Sequence, residues 1–368
     1  MSRALVNVLR TCSRYTAAAP RVYQPSTSST IPRTTLTCAQ RRWSSHSPLG
    51  SAPANARKPV TINTLQSLYC KGEPITMITA HDFPSAHVAD HAGMDMILVG
   101  DSLAMVALGM EDTSEVLMEE MLLHCKSVAR ATKGAFTVGD LPMGTYEISP
   151  AQALESAIRM IKIGRMKAIK LEGGAEMAPT ISKITSAGIP VLAHIGLTPQ
   201  RQNALGGFRV QGKSTHSALK LLDDALAVQQ AGAFAVVLEA VPAQVAALVT
   251  RELRIPTIGI GAGNGCSGQV LVQVDMLGNF PPGRFLPKFV KQYGNVWEEA
   301  HRAISQYKDE ASCKCMNICE IYTDSLSPFL QVKSRSYPAE QHTYPMDQKA
   351  FEEFRDLVDE EKEKSDLL

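Results

Sequence analysis

Seven short apolar runs, each closing on a polar or glycine-rich cluster, set the rhythm of this chain. They are Ile78–Asp82, Met96–Ser102, Phe136–Asp140, Ala168–Gly174, Val191–Gly196, Val236–Val241 and Thr257–Asn264. Between most of them lies an amphipathic segment long enough for a helix. A strand covered on both faces reads as an unbroken apolar run, and such strands alternating with helices specify a parallel sheet. Closed on itself, that sheet is an α/β fold, a (βα)8 TIM barrel, with its reaction site where the C-terminal strand ends meet. The eighth strand is expected at Val270–Val274, without a clear helix before it.

The helical stretches carry their own punctuation. Ile62–Tyr69 precedes the first strand, and Ser85–Ala92 follows it, with Asp82 before Pro84 as a candidate cap. Ser114–Arg130 has Glu early and Lys126 and Arg130 late, as the helix dipole prefers. Ser149-Pro150 opens a helix running to about Ile163, with proline in its first turn. Met177–Ser186, Thr215–Gln230, Ala243–Leu253 and a closing Val290–Lys308 complete the set. The connection Thr198–Ser214 is long, glycine-bearing and without periodicity, which marks it as a lid or binding loop, or else as disordered.

Charge divides the chain unevenly. Lys and Arg number 37 and Asp and Glu 36, yet residues 1–72 hold ten of the basic side chains and no acid. The remainder is acidic. The opening segment is also rich in Ser, Thr and Ala, so residues 1–45 read as a mitochondrial transit segment cut near Arg41-Arg42-Trp43, the alternative being a basic tail. The acidic body argues against a nucleic-acid partner, and no apolar stretch reaches the roughly 18 residues that span a bilayer. Eight cysteines are scattered without a CxxC pair, and Cys313, Cys315 and Cys319 have no histidine nearby. Neither a disulfide framework nor a structural zinc is indicated.

Chemistry gathers at the strand ends. Asp101, Asp140 and Glu172 follow the second, third and fourth runs, and three acids drawn together repel one another unless a cation lies between them. Oxygen-only ligands favour a hard ion such as Mg²⁺ over zinc. Each acid would otherwise cap the helix that follows it. Glu239 ends the sixth run behind the apolar AFAVV, and an apolar setting favours its neutral form, which suits a general base. Lys170 lies two residues before Glu172, on the same face of its strand, either to offset an oxyanion or to pair with Glu172. His194 ends the fifth run, as a site residue or a satisfied core histidine. The glycines of Gly259–Asn264 lack the remainder of a dinucleotide fingerprint and fit a tight turn at the barrel mouth.

Taken in order, VGDSLAM, KLEGG, AHIGLTPQ, FRVQGK, VLEAVP and IGIGAGN resemble the ketopantoate hydroxymethyltransferase family from about Thr61 to Lys308, resuming at Tyr337–His342. The resemblance implies a barrel of the phosphoenolpyruvate/isocitrate-lyase-like type over residues 58–345, followed by an acidic tail at 346–368. It implies transfer of a one-carbon unit from 5,10-methylenetetrahydrofolate to 3-methyl-2-oxobutanoate, giving 2-dehydropantoate in the first committed step of pantothenate biosynthesis. It further implies a homo-oligomer, often a decamer, while the opening segment points to the mitochondrial matrix. By the same similarity Asp101 and Asp140 bind Mg²⁺ (Mn²⁺ also suits), with Glu172 holding it directly or through water. Ser102, Lys170 and His194, together with the two aspartates, contact the 2-oxoacid, and Glu239 is the base. His81 stands where many members have Tyr, and residues 311–331 do not align, being an insertion or a retained intron. Two other readings compete: a Mg²⁺-dependent 2-oxoacid C–C lyase or mutase on the same barrel, and a non-catalytic barrel serving as a scaffold.

Overall fold

The computed structural model of the protein describes residues 57–312 and 343–366. The expected transit segment, and the unaligned stretch from residue 313 onward, lie outside the described residues. Eight strands form one closed parallel barrel in chain order, with β8 pairing back onto β1. They are β1 (Ile75–Thr79), β2 (Met96–Val99), β3 (Phe136–Asp140), β4 (Ala168–Glu172), β5 (Val191–Gly196), β6 (Ala235–Glu239), β7 (Thr257–Ile260) and β8 (Gly268–Leu271).

The pleat sorts each run into two layers. Met77, Leu98, Val138, Ala168, Leu192, Val237, Ile258 and Val270 point inward and fill the barrel. Their outward neighbours, among them Ile97, Ile169, Ala193 and Val236, pack against the surrounding helices. Burial on both faces is why these strands read as unbroken apolar runs. Each fully buried Leu, Ile, Met or Phe contributes about 1.5–3 kcal/mol of transfer free energy. The seam closes at Gly268, where a Cβ would stand 2.4 Å from the Ile75 carbonyl oxygen. Only glycine lets β8 come that close to β1.

The helices are α1 (Ile62–Lys71), α2 (Phe83–His91), α3 (Leu103–Val106), α4 (Met118–Ala131), α5 (Pro150–Lys162), α6 (Ala178–Ser186), α7 (Gln202–Leu205), α8 (Thr215–Gln230), α9 (Ala243–Glu252), α10 (Gln273–Leu277), α11 (Val296–Ser312) and α12 (Gln348–Asp366). On α4, Met118, Met121, Leu122, Cys125 and Val128 follow helical spacing and form its buried stripe. Asp82 caps α2 as its position suggests, accepting from the Ser85 amide at 2.8 Å. None of the helices in the described residues is long and apolar enough to cross a membrane.

Departures from the sequence reading have local causes. β1 lies three residues earlier than expected, because His81-Asp82 already belongs to the turn into α2. β8 lies two residues earlier, and residues from Gln273 coil instead into α10, with the Gln273 amide donating to Thr79 Oγ1 at 3.0 Å. The helix expected from Ser114 starts at Met118, because Ser114 spends its amide and hydroxyl on Asp112 Oδ1. The closing helix starts at Val296 rather than Val290. The long connection after β5 contains a 3₁₀ turn (Pro199–Arg201) and α7. The acidic tail is a docked helix: Phe354 and Val358 of α12 are buried and pack toward α8 and α9.

Candidate active site

Register decides which strand ends meet. Asp140 is the lateral partner of Lys170 across β3–β4, and Glu172 that of His194 across β4–β5. Lys170 Nζ donates to Asp140 Oδ2 at 2.8 Å, with both side chains buried. The alternative pairing of Lys170 with Glu172 is not the one formed. Asp101 lies two residues past β2, on a turn whose backbone amide also donates to Asp140 Oδ2, at 3.1 Å. Gly100 makes room for this turn. A Cβ there would sit 3.2 Å from Ser102 Oγ and 3.6 Å from Asp140 Oδ2. Ser102 is therefore at the same mouth, half-buried at the start of α3.

A residue that sequence reasoning missed ties the floor together. Gln200 is buried, and its Nε2 donates to Asp101 Oδ2 at 2.7 Å and to the Leu141 carbonyl at 3.0 Å. Its Oε1 accepts from the buried Tyr146 hydroxyl at 2.5 Å, and its amide donates to Glu172 Oε2 at 3.1 Å. Gln200 thus bridges the loops after β2, β3, β4 and β5. The visible trace was its place in the AHIGLTPQ motif.

Across the mouth, His194 lies between two carboxylates. Its Nδ1 is 3.5 Å from Glu172 Oε1 and its Nε2 is 3.2 Å from Glu239 Oε2, distances of charge pairing without hydrogen-bond alignment at either nitrogen. Glu239 is the more open of the three, with its side chain 15% exposed. Its backbone is tightly held. Gly196, at φ 92°, leaves space that a Cβ would take 2.4 Å from the Glu239 carbonyl oxygen, and the Leu197 amide donates to that oxygen at 2.9 Å. Ala240 follows in the left-handed region at φ 48°, a strained conformation for a non-glycine residue. Tyr344, from the segment before α12, packs edge-on against Phe289, and burial together with the Glu239 charge raises its phenol pKa.

Electrostatics follow from these neighbours. Burial, then the charges of Asp140 and Glu172, push Asp101 up to about 8 against the pull of Lys170 and Gln200. Burial would depress Lys170, but Asp140, Asp101 and Glu172 outweigh it, and the ammonium is held above its ordinary range. Burial would also depress His194, yet Glu172 and Glu239 lift it to about 9, so its ring is cationic at neutral pH.

The structure brings all seven sequence-predicted site residues to one end of the barrel. Their fit to a hard cation rests on two observations. Asp140 Oδ1 is buried without a hydrogen-bond partner, and Asp101 carries the mark of uncompensated negative charge. Among the described residues, however, no three His, Cys, Asp or Glu side chains are grouped to hold a metal ion. Glu172 Oε1 is likewise buried without a hydrogen-bond partner, 3.5 Å from His194 Nδ1, so Asp101, Asp140 and Glu172 all offer carboxylate oxygens at this mouth.

Comparison with known proteins gives a consistent family. Residues 59–314 match the family model described as ketopantoate hydroxymethyltransferase. The 3-methyl-2-oxobutanoate hydroxymethyltransferase of Emericella nidulans is 69% identical over 323 residues, covering 88% of this chain and 86% of that protein. In Arabidopsis thaliana, 3-methyl-2-oxobutanoate hydroxymethyltransferase 1, mitochondrial, is 51% identical over 269 residues, covering 72% of this chain and 78% of the relative. Among solved structures, 2,3-dimethylmalate lyase, a PEP mutase/isocitrate lyase superfamily member, aligns with a TM-score of 0.47 at 15% identity, covering 69% of this chain and 88% of that one.

Proposed function

This chain belongs to the ketopantoate hydroxymethyltransferase family, and from that premise we propose how its own residues carry out the reaction. The enzyme transfers a hydroxymethyl group from 5,10-methylenetetrahydrofolate to 3-methyl-2-oxobutanoate, a step of the pantothenate pathway. The observation that carries the assignment of roles is the geometry around Glu239. This carboxylate reaches into the mouth, 3.2 Å from a cationic buried His194, on the rim that also holds buried Lys170.

The 2-oxoacid binds with its oxygens toward Ser102, Lys170 and His194. Glu239 takes the proton from C3, a transfer to a positioned base that contributes on the order of 10²–10⁴ in rate. Lys170 and His194 face the negative charge that develops on the keto oxygen, in a mouth whose burial strengthens such attraction. Water adds to the methylene carbon of the folate and its C–N bonds break, so that tetrahydrofolate leaves and a formaldehyde unit remains. The nucleophilic C3 then bonds to that carbonyl carbon, whose oxygen takes a proton and becomes the new hydroxyl. Gln200 keeps Asp101, Glu172 and the loop after β3 in one arrangement through these steps. Asp101 and Asp140 would hold Mg²⁺, or Mn²⁺, with Glu172 joining them directly or through water. Bound there, the ion supplies Lewis-acid polarisation of the keto group, which makes the C3 proton more acidic.

Residues 58–345 are taken as the catalytic part. A place in the mitochondrial matrix is supported by the acid-free, basic N-terminal segment and by plant relatives named mitochondrial. A homo-oligomer follows from the family resemblance. The test of the assignment is hydrogen exchange. Glu239→Gln is expected to bind 3-methyl-2-oxobutanoate with near-normal affinity but to lose exchange of its C3–H in deuterated water. Exchange at the wild-type rate would remove Glu239 from the role of base. Turnover of a 2-oxoacid without any tetrahydrofolate would instead favour the lyase chemistry.

A further inference from the structure

Outside the acidic pit, the connection from β5 to α8 presents a surface that none of the steps above uses. Its second half, GGFRVQGK (Gly206–Lys213), runs beside the base. The Gln211 amide donates to the Ala240 carbonyl at 2.9 Å, one residue past Glu239. Gly212 rests on the segment that follows, where a Cβ would lie 3.8 Å from both Val241 and Pro242. The two ends of the connection are thus tied to Glu239–Ala240, since the Leu197 amide binds the Glu239 carbonyl. Gly206 (φ 69°) and Gly207 (φ 101°) turn the chain so that Phe208 stands outward, 57% exposed. Arg209 and Lys213 flank it, both exposed, and among the described residues neither is ion-paired with a carboxylate.

We propose that Gly206–Lys213 is the docking platform for the folate co-substrate, with Phe208 against its fused or benzoyl ring and Arg209 and Lys213 receiving its glutamate carboxylates. The inference rests on the hydroxymethyl-transfer reading and adds the second substrate to it. Charge orients the ligand. The two cations of the pit, Lys170 and His194, are already set against Asp140, Glu172 and Glu239, and four carboxylates outnumber them, so an anionic tail finds its unpaired cations on the adjoining loop. The pteridine end, which carries the one-carbon unit, is thereby directed toward C3 of the oxoacid beside Glu239, and the glutamate end away from it. An exposed phenylalanine, costly to leave in water, gains a planar aromatic partner.

Steady-state kinetics on the full-length enzyme test the proposal, with C3–H exchange of 3-methyl-2-oxobutanoate measured in parallel without folate. Phe208→Ala should raise KM for 5,10-methylenetetrahydrofolate about tenfold, the scale of one lost aromatic stacking contact. KM for the oxoacid and the folate-free exchange rate should be unchanged, and Phe208→Trp should restore folate affinity. The double variant Arg209→Ala/Lys213→Ala should lose any preference for tri-γ-glutamyl over monoglutamyl folate. Unaltered folate KM in both variants, with exchange intact, would overturn the platform. Loss of folate-free exchange in the wild-type enzyme would overturn the underlying reading instead. A variant that loses exchange as well would place these residues in the fold or the oxoacid site, which also refutes the proposal.

Discussion

Replacing Lys170 with methionine keeps most of the side chain's length and deletes the ammonium that holds Asp140 Oδ2 at 2.8 Å. The variant leaves Asp140, Asp101 and Glu172 buried with no lysine among them, supported by Gln200, by backbone amides and, at Glu172, by the His194 ring. Removing one partner of a buried pair costs about 3–5 kcal/mol, because the remaining charge is stranded. In a domain of this size each kcal/mol lowers Tm by about 2–4 °C, so Lys170→Met should melt roughly 6–20 °C below wild type. The cause is charge rather than volume, and a double-mutant cycle separates the two. Lys170→Met/Asp140→Asn removes both charges, and its destabilisation should fall short of the summed single effects by at least about 1 kcal/mol. Thermal melts give the Tm values and urea titrations of the four proteins give the cycle, both followed by far-ultraviolet circular dichroism. A Lys170→Met midpoint within about 2 °C of wild type, or strict additivity in the cycle, would refute the reasoning.

His194 gives a pH dependence. Its folded pKa of about 9 lies above the ordinary 6.5, so its contribution is fully present below about pH 6.5 and is lost as pH rises through 9. The loss is on the order of 3 kcal/mol, and His194→Gln should flatten the stability curve over that window; an unchanged slope would remove His194 as the cause. Ala240→Gly should relieve the left-handed strain and stabilise the fold by about 1 kcal/mol while lowering kcat, because Glu239 is then less firmly placed. Calorimetry and initial rates check both halves, and destabilisation would contradict the strain argument. Phe354→Ala should cost about 3–5 kcal/mol and loosen α12 from α8, seen as faster amide exchange in the last helix. Protection at wild-type levels would show that the helix is held elsewhere.

Much of this protein is written along its chain. The seven apolar runs place the starts of seven of the eight strands to within three residues, since a strand buried on both faces leaves an unbroken trace. The acids that end those runs were visible for a similar reason. A charged residue directly after such a run is expensive to bury, so it marks the place where the barrel opens. Lys170 and Glu172 could be put on one face from the two-residue pleat alone.

The eighth strand and the tail were less legible, because short-range pattern does not describe what a segment packs against. Gly268 defines β8 only through its approach to Ile75, and the apolar stripe of α12 has meaning only against α8 and α9. Pairing at the site was decided later still. The sequence alone left Lys170 free to pair with Glu172, but parallel register sets Asp140 beside Lys170 and Glu172 beside His194. Gln200 joined Asp101 to Glu172 only when barrel closure brought four loops within hydrogen-bond reach. Periodicity along one strand determines which side chains face inward. Lateral stagger between strands, a property of the closed sheet, determines which of them touch.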